Sequence, residues 1–257
     1  MPVKTPVVVI GLGEIGGVFA RGLLRAGYPI YPVTRDVEME ALARELPQPA
    51  AVLVAVGEGD LHGVLETVPE AWRPGLALLQ NELLPQDWKR HGLEQPTVIS
   101  VWFEKKKGQD VKEIMPSPAF GPAAAMLCEA LGAVGLRCHT LSDAQALLQE
   151  LVLKNLYILT TNIAGLEVGG AVGELWLRHE ALTRAVAEEV LQIQEWQTGT
   201  HFDREALIAA MLDAFRADPE HKCMGRSAPA RLQRALGVAN EAGLDAPTLR
   251  RIAAATF

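Results

Sequence analysis

The stretch that decides the fold is Val7-Val8-Val9-Ile10-Gly11-Leu12-Gly13-Glu14-Ile15-Gly16, near the start of the chain. Its first four residues are β-branched and do not alternate with polar ones, which is typical of a strand buried on both faces of a parallel sheet. Apolar residues then recur at helical spacing, and Gly27 is placed to end a helix. The sequence therefore predicts a strand, a glycine-rich turn and a helix.

The turn has the Gly-x-Gly-x-x-Gly spacing of dinucleotide-binding folds. Gly11 permits the tight turn, Gly13 lets the backbone approach a pyrophosphate, and Gly16 lets the helix pack close to the strand. The helix N-terminus offers amide groups and a partial positive charge to the phosphates. A plain strand-to-helix turn is the alternative, but the flanking strand and helix favour a cofactor site. The predicted phosphate contacts are Gly11, Leu12, Gly13, Glu14, Ile15 and Gly16.

The second strand, expected over residues 29–34, indicates which dinucleotide binds. An acidic residue about 20 positions after the motif would accept the ribose hydroxyls of NAD, whereas an arginine pairs with the 2′-phosphate of NADP. Arg35 follows the strand, with Asp36 one step beyond. We therefore expect NADP(H). The alternative is that Arg35 is a surface residue and Asp36 caps the next helix.

The second strand is also predicted to lie at the edge of the sheet. Pro32 cannot donate a hydrogen bond to a neighbouring strand and belongs on an edge. Residues 37–46 look helical, and the next strand-like run is residues 51–56, so no sequence remains for the usual third strand.

The rest of this half alternates strand-like runs with helices or loops, which indicates a mostly parallel sheet. Strands are expected over residues 51–56, 76–79, 97–102 and 136–140, with a loop over 116–122 and a helix over 123–131. Ligands of such sheets bind beyond the carboxyl ends of the strands. Val56, Gly57 and Asn81 are therefore candidate cofactor contacts.

Strand signals stop at Ser142, where a capping box opens a long helix. Further helices are expected over residues 173–196, 203–217, 229–242 and 247–254. We therefore predict an α/β fold of two domains. A Rossmann-type NADP-binding domain covers residues 1–141, and an all-helical substrate and dimerisation domain covers residues 142–257.

Lys154 lies in the middle of the long helix, which is apolar nearly all round. Lysine is almost never fully buried without a partner, and burial would lower its pKa toward the range of a proton donor at neutral pH. The alternatives are a lysine that extends to solvent or one that pairs with Glu150. Spacing alone does not decide between them.

Four stretches resemble the ketopantoate reductase family, within the 6-phosphogluconate dehydrogenase-like group, in both order and spacing. They are Gly11 to Gly16, Leu79 to Asn81, Lys154 to Leu166, and Gly243 to Pro247. The resemblance implies an NADPH-dependent reductase of a small 2-oxo acid. It also implies that Lys154 is the general acid and that Asn81 binds cofactor and substrate.

Three positions depart from the family. Gly57 replaces a lysine, Ile158 replaces an asparagine one turn after the catalytic lysine, and Cys223 lies where the family has Ser-Ser-Met. The resemblance therefore implies the reaction class but not ketopantoate as the substrate. Two other functions stay open: an NADP-binding sensor or partner-binding protein without turnover, and an imine or opine dehydrogenase.

Composition excludes several other classes. The net charge of −7 disfavours nucleic acid, and the one basic run, residues 105–107, is expected to be a solvated loop. The longest uncharged stretch, residues 114–128, is too short to span a membrane. The six histidines show no paired spacing, so no metal is expected. The spacing of Cys128, Cys138 and Cys223 predicts no disulfide. We expect a cytoplasmic enzyme that could form a homodimer through the helix over residues 173–196.

Overall fold

A seven-stranded sheet forms the centre of the first part of the chain in the computed structural model, which describes residues 4–257. The sheet order is β2-β1-β3-β4-β5-β8-β9, and β6 and β7 form a separate two-stranded ribbon. All pairs in the large sheet are parallel except β5 with β8. The strands are β1 (Val7–Ile10), β2 (Ile30–Val33), β3 (Ala51–Val54), β4 (Leu76–Leu78), β5 (Thr97–Ile99), β6 (Phe103–Glu104), β7 (Lys112–Glu113), β8 (Ser117–Phe120) and β9 (Cys138–Thr140).

The predicted edge strand is confirmed. Within the described part of the chain, β2 pairs only with β1, and Pro32 lies opposite Val9 in that parallel register. A helix, and no strand, connects β2 to β3, so the usual third strand is missing as predicted. The helices of this half are α1 (Glu14–Arg25), α2 (Met39–Glu45), α3 (Leu61–Thr67), α4 (Pro85–Lys89), α5 (Ala124–Gly132) and α6 (Ala144–Val168).

The prediction of a loop over residues 116–122 is wrong, because Ser117–Phe120 forms strand β8, which lies between β5 and β9 in the sheet. Pro118 is tolerated there because it faces β5 just beyond the end of that strand. Its carbonyl accepts the Ser100 N–H at 2.9 Å, so only one ladder bond is lost. On its other side β8 keeps its bonds to β9, since the Ser117 N–H donates to the Arg137 carbonyl at 3.0 Å.

The strand expected over residues 97–102 is also shorter than predicted. It ends at Ile99, and the chain turns into the ribbon of β6 and β7. Phe103 of the ribbon packs against Phe19 of α1, with ring centroids 6.0 Å apart. The ribbon is therefore anchored to the helix that follows the glycine turn.

The cysteine prediction is wrong. Cys128 of α5 and Cys138 of β9 form a disulfide, with Cα atoms 4.9 Å apart, whereas Cys223 is a buried free thiol. Cys128 and Cys138 are only ten residues apart in sequence. The short turn after α5 reverses the chain, so that β9 runs beside the helix. Spacing alone carries no sign of this return.

The structure divides into two compact units, one ending at Leu151 and the other spanning Val152–Phe257. The break falls within α6, ten residues after the boundary predicted at residue 141. The second unit is helical, as predicted, with α7 (Val172–Thr198), α8 (Arg204–Ala217), α9 (Ala228–Ala242) and α10 (Pro247–Thr256). Among the described residues, no helix is long and apolar enough to cross a membrane.

The buried carboxylate of Glu189 links α7 to the start of α10 in the second unit. Glu189 of α7 accepts the backbone N–H groups of Thr248 and Leu249 at 2.8 and 2.9 Å. These amides open α10 and have no acceptor within their own helix. A charged group at this point also complements the positive end of the helix dipole.

Candidate nucleotide cleft and buried lysine

The glycine turn after β1 has room only for glycine at two positions. Gly11 has φ +90°, and a Cβ there would lie 2.8 Å from the Ala55 carbonyl oxygen. A Cβ on Gly16 would lie 2.0 Å from the Gly11 carbonyl oxygen. The turn and the first turn of α1 are therefore in backbone contact, as the motif requires.

Gly13 has the opposite environment. A Cβ at this position would meet nothing within 4 Å, and Gly13 is the N-cap of α1 without a side-chain cap hydrogen bond. The start of α1 is thus unobstructed on the side to which this Cβ would point. Glu14 and Ile15 follow in the first turn, where the backbone carries partial positive charge. This arrangement fits a bound pyrophosphate.

A cleft of about 790 Å³ opens where β1, β2 and β3 end. Its volume is in the range of cofactor sites. Six residues predicted as cofactor contacts line it: Gly11, Leu12, Gly13, Arg35, Val56 and Gly57. Apolar side chains of Val37, Met39 and Val64 line it as well, and they offer surfaces on which an adenine ring could pack. The cleft therefore has the polar and apolar surfaces that a dinucleotide requires.

Two charged side chains give the cleft its polarity. Arg35 is exposed after β2 and also lines a neighbouring depression of about 370 Å³ together with Asp36. Asp60 lines the main cleft at the N-cap position of α3. Sequence reasoning assigned no role to Asp60. The available signal was its place in the segment that follows β3, at the carboxyl edge of the sheet.

Gln80 lies in the stretch that carries the family resemblance, but the sequence assigned it no role of its own. Its buried side-chain amide donates to the carbonyls of Val54 and Val56 at 2.7 and 3.3 Å, and its oxygen accepts the Leu79 N–H at 3.1 Å. These bonds fix the end of β4 to the end of β3, beside the cleft. Asn81 comes next and is exposed at the turn.

Lys154 is buried in α6, with 9% of its surface exposed. Burial lowers its pKa to about 7, with a smaller part of the shift coming from repulsion by the Arg231 guanidinium. The pKa of Glu150 is raised by burial, whereas an ion pair with an ammonium group would lower it.

The segment after Lys154 has a structural role. Asn162 donates to the Ile158 carbonyl at 2.8 Å and accepts the Gly225 N–H at 3.3 Å. A Cβ on Gly165 would lie 2.8 Å from the Cβ of Cys223. Asn162 and Gly165 thus hold residues 223–225 against α6. The departure from the family motif at Cys223 therefore lies in a packed part of the structure.

No protein-family model matches the sequence, and no curated protein matches it. The fold matches solved structures over nearly the whole chain. A ketopantoate reductase from Ralstonia eutropha JMP134 shares 18% identity at a TM-score of 0.68, covering 97% of each chain. The 2-dehydropantoate 2-reductase from Methylococcus capsulatus shares 14% identity at a TM-score of 0.71, covering 97% of this chain and 94% of that one.

D-mandelate dehydrogenase, solved with NADH and anilino(oxo)acetate, shares 14% identity at a TM-score of 0.66, covering 96% of each chain. The chain therefore has a Rossmann-type α/β fold followed by helices. More particularly, it has the fold of the ketopantoate reductases, and the resemblance predicted from the motifs is confirmed at the level of the fold.

Proposed function

We propose that the protein is an NADPH-dependent oxidoreductase that reduces the carbonyl group of a small 2-oxo acid. The observation that carries this proposal is the buried Lys154, whose pKa of about 7 suits a proton donor, in a chain with a cleft of cofactor size at the glycine turn. The neighbours support the same reaction class. One is named as a ketopantoate reductase and another as a 2-dehydropantoate 2-reductase. A third, D-mandelate dehydrogenase, was solved with NADH and anilino(oxo)acetate.

Different residues of the cleft would hold different parts of the cofactor. The glycine turn, from Gly11 to Gly16, would bind the pyrophosphate, and Val56 and Gly57 would border the nucleotide. Arg35 would bind the 2′-phosphate and so favour NADPH over NADH. When bound, the nicotinamide supplies the hydride.

Lys154 would supply the proton. The ammonium group of Lys154 would donate a proton to the oxygen of the reduced carbonyl group and become a neutral amine. The product is a 2-hydroxy acid, and the amine recovers a proton from solvent. Asn81 would donate a hydrogen bond to the cofactor or to the substrate oxygen.

The test is a panel of 2-oxo acids with NADPH and with NADH, monitored by the absorbance of the reduced nicotinamide. We expect oxidation of NADPH with at least one acid. Cofactor binding without oxidation across the panel would favour a binding protein, and oxidation only when an amine is added would favour an imine or opine dehydrogenase. Absence of cofactor binding would refute the proposal.

We further propose that the helical part carries substrate contacts and a homodimer interface. On α7, Leu177 is 84% exposed and Trp196 is 45% exposed, which is unusual for large apolar side chains. One neighbour, the ketopantoate reductase of Staphylococcus aureus, is named as dimeric. Sedimentation equilibrium of the protein and of Leu177→Glu would test the interface, because a dimer through α7 should dissociate in the variant.

A further inference from the structure

Lys105 does not behave as the freely solvated lysine predicted from the basic run. Its Nζ lies 3.0 Å from Glu14 Oε2 and donates to the Lys106 carbonyl at 2.9 Å. Only 21% of its side chain is exposed. Glu14 is the first residue of α1 and follows Gly13 of the glycine turn. The ion pair therefore lies beside the surface that fits a pyrophosphate.

Two contacts hold Lys105 in this place. The first is the ion pair with Glu14, and the second is the packing of Phe103 on Phe19 of the same helix. Both Phe103 and Lys105 belong to one side of the ribbon, at its strand β6 and the loop that follows. The ribbon is thus fixed to α1 at two points, and Lys105 is carried to the start of that helix.

The charge of Glu14 raises an electrostatic difficulty for phosphate binding. A carboxylate suits a helix N-terminus on its own, but beside a bound pyrophosphate it would repel the ligand. Lys105 neutralises this carboxylate. An ammonium group has three N–H donors, and the contacts with Glu14 and Lys106 use two of them. A third donor remains for an anion.

We propose that Lys105 is a ligand of the cofactor pyrophosphate and that Glu14 holds it beside the glycine turn. This inference rests on the proposed function and adds a residue to its cofactor site. It differs from the role of Arg35, because the pyrophosphate is common to NADPH and NADH whereas the 2′-phosphate is not.

The test is a calorimetric titration of the full chain with NADPH, NADH and ADP-ribose. We expect Lys105→Met to weaken all three by at least about tenfold, since a charge-assisted hydrogen bond to phosphate is lost and Glu14 is left uncompensated. Lys107→Met is the matched control, because Lys107 is an exposed member of the same basic run. It should change each affinity by less than about twofold.

A Glu14→Gln background separates the two roles of Lys105. If Lys105 contacts phosphate, Lys105→Met will still weaken all three ligands by about fivefold or more in this background. If Lys105 only neutralises Glu14, Lys105→Met will have no effect there, and the inference is overturned. An unmutated protein that binds none of the three ligands would overturn the proposed function itself. Binding that Lys105→Met leaves unchanged would overturn only the role of Lys105.

Discussion

Gly16 lies so close to Gly11 that a Cβ on Gly16 would stand 2.0 Å from the Gly11 carbonyl oxygen. That carbonyl belongs to the turn between β1 and α1, and any displacement of it would move the backbone that lines the cleft. The packing of the helix and the shape of the cofactor surface are therefore set by the same contact.

Gly16→Ala should disrupt both. We expect the free energy of unfolding to fall by about 1 to 3 kcal/mol, because the added methyl group must push the turn away from α1. Affinity for NADPH should fall as well. Gly17→Ala is the matched control, since a Cβ there meets nothing within 4 Å and alanine favours a helix by about 0.5 to 1 kcal/mol. Urea unfolding of both variants measures the difference, and equal stabilities would contradict the prediction.

Arg35→Ala should weaken NADPH at least tenfold and leave NADH unchanged. The expected loss is about 1.5 to 3 kcal/mol, the value of a charge-assisted hydrogen bond to the 2′-phosphate. Fluorescence titration with each cofactor gives both affinities. Equal affinities of the unmutated protein for NADPH and NADH would show that Arg35 does not select the cofactor.

Lys154→Met should lower the rate of reduction by at least about 10²-fold while changing NADPH affinity by less than about threefold. Methionine keeps an apolar side chain of similar length and removes the proton donor. Single-turnover kinetics with saturating NADPH measures the chemical step. Near-normal turnover in the variant would remove Lys154 from the mechanism.

The same variant should be more stable than the parent. The pKa of Lys154 is lowered from 10.5 to about 7 in the folded state. At pH values between about 7 and 10.5, the unfolded chain therefore binds more protons at this lysine than the folded chain does. Stability of the parent should therefore rise as pH increases from about 7 to 10.5, apart from other groups. Lys154→Met should lose this contribution to the rise and gain up to about 4 kcal/mol at neutral pH, since each unit of pKa corresponds to about 1.4 kcal/mol. Thermal unfolding over a pH series measures both.

The pH profile of catalysis should report the same lysine. Reduction needs the ammonium form, so kcat/KM for the 2-oxo acid should fall as pH rises through about 7. Oxidation of the 2-hydroxy acid needs the neutral amine, so its profile should rise through the same pH. Profiles of equal direction in the two reactions would contradict the assignment.

Reduction of the disulfide between Cys128 and Cys138 should destabilise the first unit by about 2 to 3 kcal/mol, since it closes a loop of about ten residues. Thiol counting under denaturing conditions should find one free thiol, Cys223, before reduction and three after it. Three thiols without reductant would show that the pair is open as purified.

Some residues of the candidate site can be predicted from the local sequence, and others cannot. Gly11, Gly13, Arg35 and Gly57 were predicted at the carboxyl ends of strands, and the structure brings them to one cleft. Parallel strands make this possible, because all their ends meet at the same edge. The role of Gln80 was not predicted, because its hydrogen bonds reach the end of a different strand.

The sequence by itself determined the order of strands and helices up to β5, the edge position of β2 and the helical second half. These features follow from signals within a few residues: the period of apolar side chains, the proline at position 32 and the capping residues. Only the tertiary structure decided that Ser117–Phe120 is a strand, that Cys128 meets Cys138, that Lys105 pairs with Glu14 and that the pKa of Lys154 is lowered. Each of these features depends on which segments come together after folding. Such contacts are not signalled by a hydrophobic period or a capping residue in the local sequence.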